Sequence, residues 1–346
     1  MADYSLSPSG EKFRIPEEKD YAAEFDRVSA LAGEARKAGK EVVVVMGVGF
    51  VGAVMAAIVA DTKDKKGRCS KFVIGCQRPS TRSYWKTPML NRGESPVKAE
   101  DPEVEPMIAR CVRDKKTLTA TYNSQCLELA DCVVVDVQCD YSKKHLGNLR
   151  TGEAEMGALE DTLRTIGQHI RPSCLVLIET TVAPGTTEFV AYPILKKAFS
   201  GRGITDQPLL AHSFERVMPG KEYVSSIRDF WRVCSGCTPE ARSRVVKFLT
   251  EVLNTEKFPL TVMDRPIESE TTKIVENSYR ATILAFLNEW SIFAERNGVD
   301  LTKVIKPSRL SAKRTSELYL SILISPLIRQ ARARNRLYLP CPRLSD

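Results

Sequence analysis

The chain has 346 residues, 43% of them hydrophobic, enough to bury a sizeable core and to divide into about two domains. Its 51 lysines and arginines against 43 acids give a formal charge of +8, but residues 306–346 hold nine of the basic residues and two of the acids, so residues 1–305 stand near neutrality at 42 against 41. No apolar run approaches the roughly 20 residues that cross a bilayer, and the N-terminus lacks the apolar stretch of a secretory signal, so a cytoplasmic protein with neither membrane nor nucleic acid as partner is expected.

Taken in chain order, residues 1–40 are polar, with Phe25, Val28 and Leu31 at helical spacing, which predicts an N-terminal helical extension. From Glu41 the texture changes. Short runs rich in Val, Ile and Leu at 42–46, 72–75, 132–137, 175–179, 209–212 and 232–234 alternate with stretches of helical periodicity. That rhythm predicts an α/β domain over 41–262, a Rossmann-type doubly wound parallel sheet covered on both faces. Residues 266–297 carry Ile274, Tyr279, Ile283, Phe286, Trp290 and Phe293 on one stripe before Asn297-Gly298, which predicts a long helix in an all-α domain over 263–305. Residues 306–346 contain no glycine and no coherent amphipathic pattern, and are read as an atypical basic tail.

Ten cysteines are scattered through the chain and are expected to be mostly buried free thiols. Cys234-Ser235-Gly236-Cys237 has the spacing of a zinc or redox pair, but no second pair accompanies it and the three histidines (His145, His169, His212) lie far from it in sequence, so no metal site is expected.

Two motifs point to chemistry. Gly47, Gly49 and Gly52 form a GxGxxG directly after a predicted strand and at the opening of a predicted helix, where the N–H groups around Phe50 and Val51 face a pyrophosphate. This predicts a bound dinucleotide. The acid expected about 20 residues on, which binds the ribose hydroxyls, is replaced by Gln77 and Arg78. Gln77 can hydrogen-bond a ribose hydroxyl, while Arg78 can meet a 2′-phosphate or stay in solvent, so NAD is expected with NADP left open. The second motif is Lys273 and Asn277, one turn apart on the long helix, where both can donate to one substrate oxygen; by spacing alone they also fit a solvated helix face.

These motifs have company. Gly47–Gly52, Leu90-Asn91-Arg92-Gly93-Glu94-Ser95-Pro96, Glu179-Thr180-Thr181-Val182-Ala183-Pro184-Gly185-Thr186-Thr187, Glu215-Arg216-Val217-Met218-Pro219-Gly220 and Lys273-xxx-Asn277 follow one another over residues 41–305 in the order of the nucleotide-sugar 6-dehydrogenases. The chain resembles that family, and its Glu215-Arg216-Val217-Met218-Pro219-Gly220 segment is similar to the UDP-N-acetylmannosamine and GDP-mannose type. The resemblance implies NAD-dependent oxidation of a sugar C6 alcohol to a carboxylate and a nucleotide-sugar partner. It also implies a water-holding Thr181 beside the cofactor, a Glu215 acting as general base or hydrogen-bonding the reacting centre, an oxyanion pair of Lys273 and Asn277, and a homodimer formed through the long helix, where Trp290 and Phe293 stand. After Ile305 the family continues to a cysteine loop and a nucleotide domain, neither of which is read in residues 306–346. A chain cut before its nucleophile, with a tail read out of frame and no such role for Cys341, is therefore expected. A two-electron hydroxyacid-type dehydrogenase and a non-catalytic dinucleotide-binding protein are the other readings.

Overall fold

The computed structural model describes residues 3–142, 152–217 and 220–305. The expected basic tail, 306–346, lies outside the described residues, as do Met218 and Pro219 of the ERVMPG segment. The N-terminal extension is not wholly helical: an antiparallel hairpin of β1 (Tyr4–Leu6) and β2 (Lys12–Arg14) precedes α1 (Tyr21–Lys37). The hairpin shows the alternation of exposed and buried residues that suits a strand with one covered face, a period too brief to register in a polar stretch.

The body then alternates as expected. β3 (Glu41–Met46), α2 (Phe50–Asp61), β4 (Lys71–Cys76), α3 (Lys86–Asn91), α4 (Val104–Ala109), β5 (Leu118–Thr121) and β6 (Cys132–Val135) form the first half. A small hairpin of β7 (Asp140–Ser142) and β8 (Glu153–Glu155) follows, then α5 (Gly157–His169), β9 (Leu175–Ile178), α6 (Tyr192–Gly201) and β10 (Leu209–His212). The chain continues through α7 (Tyr223–Arg228), β11 (Val233–Gly236), α8 (Pro239–Val252), β12 (Thr261–Val262) and α9 (Pro266–Arg296).

Eight strands make one sheet in the order β12-β11-β10-β9-β6-β3-β4-β5. Its centre is parallel, and because β3 is covered on both faces it is a run of valines: Val43 and Val45 pack with α2 and α8 on one side, Val42 and Val44 with α1, α5 and α6 on the other. The sheet is not parallel throughout, since β11 runs antiparallel to β10. Two strands escaped the sequence reading, β5 because its Leu-Thr-Ala-Thr is half polar, and β12 because it is two exposed residues long. Strand order reverses at β3, whose neighbours are β4 on one side and β6 on the other; a crevice at the carboxyl ends of the strands belongs there. The chain divides into two compact units between Glu276 and Asn277, inside α9.

Candidate active site

The glycine loop between β3 and α2 is built by steric necessity. Gly47 has φ +97°, and a Cβ there would lie 2.9 Å from the Asp136 carbonyl oxygen. A Cβ on Gly52 would lie 1.9 Å from the Gly47 carbonyl oxygen, so only glycine lets helix and loop meet. Gly49, by contrast, faces open space and caps α2 without any side-chain hydrogen bond, which leaves the N–H groups of the first turn, at Phe50 and Val51, for an incoming anion. This cradle fits the pyrophosphate of a dinucleotide.

Beside it lies a cleft of about 580 Å³ that includes Gly47, Gln77, Arg78, Tyr21 and Tyr122 in its lining. Gln77 and Arg78 thus stand where the acid was expected, just past the end of β4. The Gln77 carboxamide oxygen accepts the Val48 N–H at 3.1 Å and its NH₂ group donates to the Ser83 hydroxyl at 3.5 Å, so Gln77 braces the glycine loop. Arg78 is exposed at the rim. Phe50 is exposed and stacks on Tyr223 with ring centroids 4.8 Å apart, while the Tyr223 hydroxyl donates to the Phe50 carbonyl.

A second group of polar residues gathers past the ends of β6, β9 and β10. Arg232 and Glu179 are both fully buried and paired at 2.8 Å. Arg232 also donates to the Phe214 carbonyl at 2.8 Å, tying the segment that opens with Glu179 to the one that holds Glu215. Lys273 donates to the main-chain carbonyl of Glu215 at 2.8 Å and lies 5.2 Å from the centre of the Phe214 ring, while the Glu215 carboxylate turns back to accept the Val217 N–H at 2.5 Å. Lys273 and Glu215 are therefore neighbours, though through the backbone and not as an ion pair. Thr181 is half-buried in the loop after β9, two residues beyond Glu179. Asn277 is exposed and opens the second compact unit.

Burial dominates the electrostatics. It pushes the Asp136 carboxyl well above the usual carboxylate range, helped by the negative charges of Glu179 and Glu215, and it raises Glu179 against the opposing pull of Arg232. Burial lowers the Lys273 ammonium, which the nearby Glu215 and Glu276 partly offset. His212, also fully buried, is pushed down to about 3 by desolvation and then by Lys273. Its Nδ1 lies 2.7 Å from the Ser269 hydroxyl, which also stands 2.7 Å from the Ser235 hydroxyl and donates to the Pro266 carbonyl at 2.9 Å, and the imidazole is neutral.

Asp136, Arg232 and His212 were missed as site residues. In the sequence Glu179 opens a motif and Arg232 starts an apolar run, where a lone arginine entering a buried strand is the available signal. The Cys234 and Cys237 thiols are pushed up to about 11 and about 12 by burial, and among the described residues no group of three potential metal ligands occurs. Among the described residues no helix is long and apolar enough to cross a membrane.

Comparison with known proteins accounts for this geometry. The NAD binding domain of the UDP-glucose/GDP-mannose dehydrogenase family matches residues 41–252, and the central domain of that family matches residues 267–321. The second match runs past Ile305, where the resemblance was expected to stop. The chain is 29% identical over 197 residues to a UDP-N-acetyl-D-glucosamine 6-dehydrogenase of Pseudomonas aeruginosa, covering 56% of this chain and 43% of that one. It is 26% identical to a UDP-N-acetyl-D-mannosamine dehydrogenase of Yersinia pestis, covering 77% and 58% respectively. Among solved structures, an NDP-N-acetyl-D-galactosaminuronic acid dehydrogenase from Methanosarcina mazei superposes with a TM-score of 0.63 at 31% identity, over 81% of this chain and 55% of that one. The chain thus spans about half the length of the relatives it matches. With both matches in register with the glycine cradle and the long helix, the chain belongs to the UDP-glucose/GDP-mannose dehydrogenase family.

Proposed function

We propose that the chain acts in the NAD-dependent oxidation of the C6 alcohol of a nucleotide sugar carrying an N-acetylated sugar, in the cytoplasm and as a homodimer. The observation that carries this reading is the meeting, at the strand ends of one sheet, of a glycine cradle with the buried Glu179–Arg232 pair and the half-buried Asp136 and Lys273. NAD bound on the cradle supplies the two-electron acceptor for an alcohol. The protein's own residues do the rest. Lys273 donates a hydrogen bond to the substrate oxygen and stabilises the charge that develops on it, with Asn277 four residues further along α9 as second donor. Desolvation brings the Lys273 ammonium closer to proton exchange at working pH, and Glu215 next to it accepts the alcohol proton. Thr181, in the loop after β9, holds a water near the cofactor. The names of the relatives support an N-acetylated substrate. Support for the dimer comes from α9, which exposes Tyr279, Phe286, Trp290 and Phe293.

The test is the stoichiometry of cofactor reduction with UDP-N-acetylmannosamine, UDP-N-acetylglucosamine, UDP-glucose and GDP-mannose. Two NADH per sugar, the second from the aldehyde hydrate formed with the water that Thr181 holds, and both lost in Lys273→Ala, is the expected outcome. One NADH per sugar assigns a two-electron alcohol dehydrogenase. None, with NAD still bound, makes the chain a dinucleotide-binding protein and sinks the catalytic reading.

A further inference from the structure

The N-terminal extension lies outside the family's NAD binding domain, whose match begins at residue 41. It is nevertheless part of the same core. Val28, Ala32 and Ala35 of α1 are buried with Val42 and Val44 of β3, and Arg27 reaches across to donate to the Thr119 hydroxyl and the Ala120 carbonyl at 3.1 and 2.9 Å. The hairpin before it is pinned as well: the Ser5 hydroxyl donates to the Thr81 carbonyl and accepts the Trp85 N–H.

This anchoring fixes the start of α1 beside the cleft. Asn123 donates to the Tyr21 carbonyl at 2.8 Å, and the Tyr122 hydroxyl donates to the Asp20 carbonyl at 3.1 Å. The Tyr21 and Tyr122 rings meet edge to face with centroids 5.2 Å apart, and both line the cleft together with Gln77, Arg78 and Pro79. In a sheet of this kind the end of the strand beside the glycine strand faces the adenosine ribose of a dinucleotide. The aromatic pair therefore borders the adenosine half of the cleft, past the end of β4, and not the half where chemistry occurs.

We propose that Tyr21, carried in by the N-terminal extension, is an adenine-contacting residue of the cofactor site, so that the extension completes a binding cleft the family domain alone leaves open. The inference rests on the dinucleotide reading of the cleft. Aromatic rings recognise bases through their faces, a contact whose loss typically weakens binding by about tenfold.

Calorimetry on the full chain tests it, with NAD, ADP-ribose and nicotinamide mononucleotide as ligands. In Tyr21→Ala the dissociation constants of NAD and ADP-ribose should rise about tenfold while that of nicotinamide mononucleotide stays unchanged, and Tyr21→Phe should bind like the native chain. Unchanged ADP-ribose binding in a folded Tyr21→Ala overturns the proposal, as does equal weakening of all three ligands. Should Tyr21→Ala not fold, the ring signals of Tyr21 in the native chain are followed by NMR during titration with ADP-ribose: a shift supports the contact and still signals refute it. A native chain that binds neither NAD nor ADP-ribose overturns the cofactor reading itself, a result distinct from a failure of Tyr21 alone.

Discussion

Asp136 and His212 are two buried titratable groups whose effects on stability have opposite signs with pH. The folded state holds the Asp136 carboxyl protonated far above its ordinary range near 4, so the unfolded chain binds fewer protons than the folded one above that pH, and stability falls as pH rises. His212 works the other way. Its folded pKa of about 3 lies below the ordinary value of 6.5, so between those limits the unfolded chain takes up a proton that the folded one refuses, and stability falls as pH drops. Melting curves from pH 4 to pH 8 should therefore separate two variants. Asp136→Asn, which keeps the neutral shape, is expected to raise Tm at pH 8 by about 3 °C and to lose that gain near pH 4. His212→Asn, which keeps a neutral hydrogen-bonding group toward Ser269, is expected to reduce the loss of Tm between pH 6.5 and pH 4. A pH-independent offset in both variants would refute this assignment of charge states.

At the scale of elements, strands covered on both faces were the most legible, because a fully buried strand must be apolar along its whole length. β6 and β9 follow that rule end to end, while β3 and β4 depart from it only at their first residues, Glu41 and Lys71, and β10 only at its last, His212. The edge elements were not legible for other reasons: β12 and the opening hairpin cover half a face or less, while β5 is buried along its length but half of its residues are threonines. Their residues carry hydrogen bonds instead. Asn91, from the Leu90–Pro96 motif, accepts the Ala120 N–H at 2.6 Å and donates back to the Ala120 carbonyl at 3.0 Å, so part of that motif serves the edge strand β5. The aromatic residues of the α9 stripe are exposed: Phe286 and Trp290 have ring centroids 6.2 Å apart and Trp290 and Phe293 5.5 Å apart, all on the surface. If α9 forms the homodimer, Trp290→Glu should shift sedimentation from dimer to monomer and leave the far-ultraviolet dichroism unchanged; a native chain that already sediments as a monomer removes the dimer from the proposed function.

For the whole molecule, binding on the glycine cradle should couple to folding. A ligand present at about 100 times its dissociation constant stabilises the native state by about 2.7 kcal/mol, so saturating NAD is expected to raise Tm by several degrees, with no shift in a Gly52→Val variant that retains its fold. An equal shift in both would place the binding elsewhere. The sequence alone determined the alternation of strand and helix, the cradle and the long helix, because each is written in local spacing: a period of residues, or a glycine where a Cβ would collide with backbone. The edge strands, the antiparallel β11 and the grouping of Asp136, Glu179, Arg232 and Lys273 were decided only in three dimensions, as was the arrival of Tyr21 at the cofactor cleft. Arg232 pairs with a carboxylate 53 residues away in sequence, and no local pattern encodes that a charge will be desolvated or which distant charge will meet it.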